Sequence, residues 1–265
     1  MSDSRRVSVI IPTRDNPQML DTVLRGLAAT APEAEVLVVD NGSRDPAVAR
    51  AIASAGATPL RVDAPFNFSL LINVGAAASR REFVLLLNDD IEIRDDRWLG
   101  AMVAAAGPDT GPVGAVLHHP DGSVQHRGIA LVDGRPETLG AGEDGAEGPG
   151  PAPDAVTGAC MLVARELFVA LGGLETLLRT NYNDVDLCLR AARAGRPAAL
   201  AADAHLIHHE SASRGRESTP DVRADWLLFR TRWAHLLVGG GAVPPAGARA
   251  SLAGRATYSN EGPGN

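Results

Sequence analysis

At 265 residues and 45% hydrophobic content, the chain is long enough for one large buried core or two tightly joined lobes. Its formal charge of −7, without a basic cluster, argues against nucleic acid as a partner. All 25 basic residues are arginine, which removes P-loop chemistry and lysine Schiff bases. Cys160 and Cys188 are the only cysteines and have no CxxC spacing, so two small buried residues are expected rather than a disulfide framework or a zinc site. The apolar run near the start is too short for a signal peptide, and no later segment is long enough to span a membrane. A cytoplasmic protein is expected, with at most peripheral attachment to a membrane.

In chain order, Val7 to Ile11 is a β-branched run closed by Pro12-Thr13, a strand with a sharp end. Pro17 can open a helix with Leu20, Val23, Leu24 and Leu27 on one face. Val36 to Val39 is a second strand, ending at Asp40-Asn41-Gly42, and Pro46 to Ala55 is a helix with Gly56 just past its end. A third strand falls near Leu60 to Val62. Phe66 to Ser69 reads as a polar-aromatic loop leading into a helix from Asn73 to Ser79. Phe83 to Leu87 is five apolar residues in a row, the pattern of a strand buried on both faces. Strands alternating with helices predict a parallel, doubly wound sheet.

That topology gathers the residues just after each strand into one crevice. Thr13, Asp40, Asn67 or Asn73, and the run Asn88-Asp89-Asp90 all hold such positions. An acidic residue after the second strand can bond a ribose or base. The Asp89-Asp90 pair is either a polar turn or a set of hard oxygen ligands for Mg²⁺ or Mn²⁺ beneath a diphosphate. The string Gly140-Ala-Gly142-Glu-Asp-Gly145 lies in a Gly/Pro/acidic run, not between strand and helix, and is no dinucleotide fingerprint.

Trp98 to Ala106 is expected as a helix, Val113 to Leu117 as a strand, and Asp133 to Asp154 as a mobile loop or a lid. Val156 to Val163 is a strand and Arg165 to Leu171 a short helix. In the next helix Asp186 and Arg190 stand four apart and can pair on its surface. Asp184, at the start of that helix, is either an N-cap or a general base facing the crevice. His205-Leu-Ile-His208-His209-Glu210 closes another short strand and suits a metal or a phosphate. Trp226 to Leu237 is an amphipathic helix, followed by a Gly/Ala/Pro-rich tail.

The ordered set VSVIIPTRD, VLVVDNGS, FNFSLLINVGAAAS, FVLLLNDDIEI, VTGACMLVARELF, NDVDLCLRAARAG and HLIHHESASRG resembles family 2 glycosyltransferases, in the branch with rhamnosyltransferase-like enzymes. The resemblance covers Val7 to Trp233. It implies a GT-A fold: a Rossmann-like nucleotide-sugar-binding half (1–125) with a mostly parallel sheet, and a smaller acceptor-binding and catalytic half (126–238). The tail, 239–265, is expected to be disordered. The implied activity is metal-dependent, inverting transfer of a sugar from a nucleotide-diphosphate sugar to a glycan or glycoconjugate acceptor, in cell-surface polysaccharide or glycoconjugate synthesis. Carried over residue by residue, Pro12, Thr13, Asp40, Asn41, Asn67, Asn73, Asn88 and Asp89 would bind the donor. Asp90, with His208 or His209, would hold Mn²⁺ or Mg²⁺, and Asp184 would be the base. Asn88 stands where the family motif has its first acid, and Asn183 where it has Glu; the family's Asp-Pro segment after the last Trp is missing. A nucleotide-sugar-binding protein without transfer activity is the alternative that Asn183 and the C-terminus point to. A sugar-1-phosphate nucleotidyltransferase would need a Gly-rich basic loop where this chain has Pro12-Thr13-Arg14-Asp15-Asn16.

Overall fold

The apolar runs become the centre of one twisted sheet in a computed structural model, which describes residues 3–142, 151–209 and 220–237. β1 (Val7–Thr13), β2 (Glu35–Asp40), β3 (Thr58–Arg61) and β4 (Phe83–Leu87) are parallel, in the spatial order β3-β2-β1-β4. Alternate residues of β4 explain its unbroken apolar run. Phe83, Leu85 and Leu87 enter one core cluster, and Val84 and Leu86 enter the other, on the opposite face.

Helices α1 (Pro17–Thr30), α2 (Pro46–Ser54) and α4 (Trp98–Ala105) cover the first face. Both α1 and α2 have proline in the first turn, where the missing N–H is no loss. Helices α3 (Phe68–Ala78), α5 (Arg165–Ala170), α6 (Asn183–Arg193) and α7 (Pro220–Leu237) cover the second. α3 lies very close to β1: a Cβ added at Gly75 would stand 2.3 Å from Ile10 Cγ2. Among the described residues, no helix is long and apolar enough to cross a membrane.

Past β4 the sheet continues as β10 (Cys160–Ala164), β6 (Val113–His118), β11 (Ala199–His208) and β5 (Ile91–Glu92). β10 is antiparallel to both β4 and β6, while β11 is parallel to β6 and antiparallel to β5. The sheet therefore runs unbroken across position 125, and a strand from the later half sits between two from the earlier one. β7 (Val124–His126) pairs with β6. β8 (Ile129–Val132) and β9 (Arg135–Thr138) form a separate hairpin.

Several expectations need correction. The stretch from Asp133 to Asp154 is not all loop. Asp133 and Gly134, with φ of 46° and 75°, make the tight turn of the β8–β9 hairpin. Its 143–150 portion lies outside the described residues, as do Glu210 and the 239–265 tail. Phe68 and Ser69 belong to α3 rather than to a loop. The strand expected from Val156 starts at Cys160, and α7 starts at Pro220, six residues ahead of Trp226. Both cysteines are buried, as expected.

Candidate active site

The parallel register of β1 and β2 sets Thr13 beside Asp40, and the Asn41 N–H donates to the Thr13 carbonyl at 2.9 Å. Thr13 Oγ1 donates across to Asp89 Oδ2 at 2.7 Å, tying the end of β1 to the end of β4. Burial pushes the Asp89 carboxyl up to about 6; the Asp90 charge adds to this, and hydrogen bonds from Thr13 and Asn16 oppose it. Asp40 accepts from the Ser43 N–H at 2.8 Å and from Arg61 Nη1 at 2.6 Å. Pro12 lies opposite Val39 inside the sheet and shapes the strand end. Asn41 is buried, and its Nδ2 donates to the carbonyls of Val62 and Ala64, which braces the chain leaving β3.

The two-residue strand β5 does most to assemble the site. Pairing with β11 sets His208 beside Ile91, and the His209 N–H donates to the Asp90 carbonyl at 3.0 Å. His208 Nε2 then lies 3.1 Å from Asp90 Oδ1 and 3.4 Å from Asn88 Nδ2. On the ring's other side, Nδ1 meets Gln125 Oε1 at 2.7 Å. An amide oxygen can only accept, so Nδ1 carries the proton, and Nε2 faces Asp90 either as a second donor or as a lone pair.

A lone pair facing a carboxylate oxygen at that distance is repulsive unless the ring is doubly protonated or a cation lies between. Two ligands at right angles around a cation, each roughly 2.1 Å from it, stand about 3.0 Å apart. The Asp90–His208 pair fits that spacing, and Gln125 supplies the outer hydrogen bond that orients a metal-binding histidine. Among the described residues, no group of three His, Cys, Asp or Glu side chains is placed to hold a metal. A cation at Asp90 and His208 would complete its shell with water and phosphate oxygens, as Mg²⁺ commonly does. His209 is placed differently from the expectation: its Nε2 meets Glu92 Oε2 at 2.9 Å.

Asp184 reaches the same strand end from α6. Its Oδ2 accepts from the Gly158 N–H at 2.9 Å, and the next residue, Ala159, accepts the Asn88 N–H at 2.9 Å. The carboxylate is half-buried and keeps further acceptor capacity on both oxygens. It is not the N-cap: that position is Tyr182, in the left-handed region with φ 62° and no side-chain cap bond. Asp186 does pair with Arg190, at 2.7 Å, but inside the protein rather than on its surface. It is fully buried and also accepts from Trp233 Nε1 at 3.0 Å.

Asn67 and Asn73 are drawn into bracing. Asn67 caps α3 by accepting from Leu70 N–H at 3.0 Å and donates to the Thr176 carbonyl at 2.9 Å. Asn73 exchanges two bonds with the backbone of Leu174, at 2.8 and 2.9 Å. Sequence reasoning missed Gln125, Gly158 and β5. None has a local signature: Gln125 is one amide in a short strand, and two residues are too few to show periodicity.

A curled, mostly parallel sheet with this acidic strand end is a GT-A fold. It is similar to that of a mannosyltransferase from Pyrobaculum calidifontis solved with GDP-Man and Mn²⁺, with a TM-score of 0.61, 17% identity, and coverage of 88% of this chain and 72% of that one. The chain belongs to glycosyl transferase family 2, whose family model matches residues 8–168. It is 40% identical to the uncharacterized protein y4gI of Sinorhizobium fredii, over 88% of this chain and 28% of that protein. It is 35% identical to the O-antigen biosynthesis protein RfbC of Myxococcus xanthus, over 84% of this chain and 19% of that one. The chain thus spans less than a third of the length of these two relatives.

Proposed function

We propose that this chain is a metal-dependent, inverting glycosyltransferase that moves a sugar from a nucleotide-diphosphate sugar to an acceptor hydroxyl, in the synthesis of a cell-surface polysaccharide or glycoconjugate. The observation that carries the reading is the His208–Asp90 pair at the acidic end of β4, 3.1 Å apart, next to the strand end that receives Asp184. The family supports glycosyl transfer, and the likeness to RfbC supports the polysaccharide setting.

In this reading residues 1–125 hold the donor and 126–238 the acceptor. Thr13 and Asp40 face the nucleotide, on a wall shaped by Pro12 and Asn41, while Asn88 and Asp89 lie nearest the diphosphate. Asp90 and His208 would hold Mn²⁺ or Mg²⁺, which would supply the charge that neutralises the diphosphate. Asp184 takes the proton from the acceptor hydroxyl. The acceptor oxygen bonds to the anomeric carbon as that carbon's bond to the diphosphate oxygen breaks, and the electron pair leaves with the diphosphate. Attack from the opposite face inverts the centre. The amides of Gly158 and Val185 keep the Asp184 carboxylate pointed in one direction between turnovers.

A thermal-shift screen of UDP-, GDP- and dTDP-sugars, with and without Mn²⁺, tests donor binding, because a tight donor raises Tm by mass action. Asp90→Asn is expected to abolish the metal-dependent part of the shift; an unchanged shift in EDTA would refute the metal reading. Asp184→Asn is expected to bind the selected donor yet lose about 10²–10⁴ in turnover. Near wild-type turnover in that variant moves the base elsewhere.

A further inference from the structure

The start of α6 is unusual. Tyr182, its N-cap, makes no side-chain cap bond and sits at φ 62°, in a backbone region that costs a bulky residue energy. Something outside the helix has to hold this lead-in. That group is Asp225 of α7, which is 1% exposed. Its Oδ1 accepts from the Arg179 N–H at 3.0 Å, and its Oδ2 accepts from the N–H groups of Thr180 and Asn181 at 2.8 and 2.9 Å. Three consecutive amides converge on one carboxylate directly before Tyr182. The same helix holds the Tyr182 ring, which stacks on Phe229 at 5.1 Å and tilts against Trp226 at 5.3 Å.

We propose that Asp225 is a positioning residue for Asp184: it fixes the segment that leads into α6, and so where the Asp184 carboxylate meets the end of β10. The functional half of this inference rests on the reading of Asp184 as the base; the geometric half does not. Asp186 provides the internal contrast. It joins α6 itself to α7 through Arg190 and Trp233, whereas the amides that donate to Asp225 lie in the segment leading in.

The Gly158 amide reports the outcome, because it donates to Asp184 Oδ2 and is remote from Asp225 in the chain. Amide exchange is measured on the full chain as wild type, Asp225→Asn and Asp184→Ala, the last giving the rate with no acceptor at Gly158. In Asp225→Asn, Gly158 is expected to exchange about tenfold faster or more, with β1 and β4 amides within about twofold of wild type. Freed amides at 179–181 with unchanged protection at Gly158 overturn the proposal. A second arm follows hydrolysis of the nucleotide sugar selected by the thermal-shift screen. Asp225→Asn is expected to lower kcat about 10- to 100-fold while KM for donor stays within about twofold. Added to Asp184→Asn, it should cause no further loss; losses that multiply mean independent action and overturn the positioning role. If Asp184→Asn keeps full turnover, the base reading falls alone, and exchange at Gly158 still decides the placement. Should Asp225→Asn not fold, Asp225→Glu, which displaces the charge by one methylene, takes its place in both arms.

Discussion

The two sides of the sheet assemble their share of the site in different ways. On the β3-β2-β1-β4 side, parallel strands deliver Thr13, Asp40 and Asn88 to one edge simply by ending there. On the β10-β6-β11-β5 side, the strands arrive out of chain order, and each candidate side chain depends on a distant partner. His208 is placed by β5, with Asn88 lying 120 residues away in sequence, and Asp184 is placed by Gly158. The first side is robust because topology alone sets it. The second is only as precise as a few buried polar contacts, and substitutions can separate the two.

The largest effect is expected at Asp186, the buried carboxylate between α6 and α7. Asp186→Ala leaves Arg190 Nε and the Trp233 indole without their acceptor, with Arg232 Nε also 3.2 Å from that carboxylate. Breaking a buried pair from one side costs about 3–5 kcal/mol, so the denaturant midpoint should fall sharply. A midpoint close to wild type would mean that α7 does not anchor this side. Next comes Gln125→Leu, which removes the hydrogen bond that orients His208. Calorimetric titration of Mn²⁺ in the presence of UDP should show affinity about 10- to 100-fold weaker with stability little changed. Undiminished affinity would remove His208 from the metal reading.

The parallel side is expected to respond through packing alone. Gly75→Ala drives a methyl group into Ile10, and overpacking of this kind costs about 1–3 kcal/mol. It should lower Tm while leaving the metal titration and the Gly158 amide as they are. A change in either would show that the two sides are mechanically coupled, against the comparison drawn above.

The same division decides what could be read from the residues in order. The unbroken run at Phe83–Leu87, the prolines at Pro17 and Pro46, and Gly56, with φ of 65°, are local signals with local causes, and the elements they mark are where they were expected. The i, i+4 pairing of Asp186 with Arg190 was legible too, but not its burial, which is imposed by Trp233, 47 residues on. The β8–β9 hairpin did leave a signal, Asp133-Gly134, a pair suited to a two-residue turn, which the surrounding Gly/Pro-rich composition obscured. Nothing near Gln125 or Asp225 marks either one, since their roles exist only once β7 and α7 have docked.

Asn67 is the smallest case and the sharpest test of that division. By position it follows β3 and belongs with the donor-binding residues; by contact it caps α3 and holds the loop at Thr176. If contact is the better guide, Asn67→Ala should cost about 1 kcal/mol for the lost cap, with the Thr176 bond adding to it. In a chain of this size that lowers Tm by roughly 2–4 °C. Asn67→Ser keeps an acceptor for the Leu70 N–H and loses the donor to Thr176 without setting a charge against that carbonyl, so it should recover most of the loss. Neither variant should alter the affinity of UDP with Mn²⁺ measured by calorimetry. A several-fold loss of that affinity in Asn67→Ser, with Tm restored, would return Asn67 to the donor pocket. It would also show that position after a strand outweighs the bonds a side chain makes.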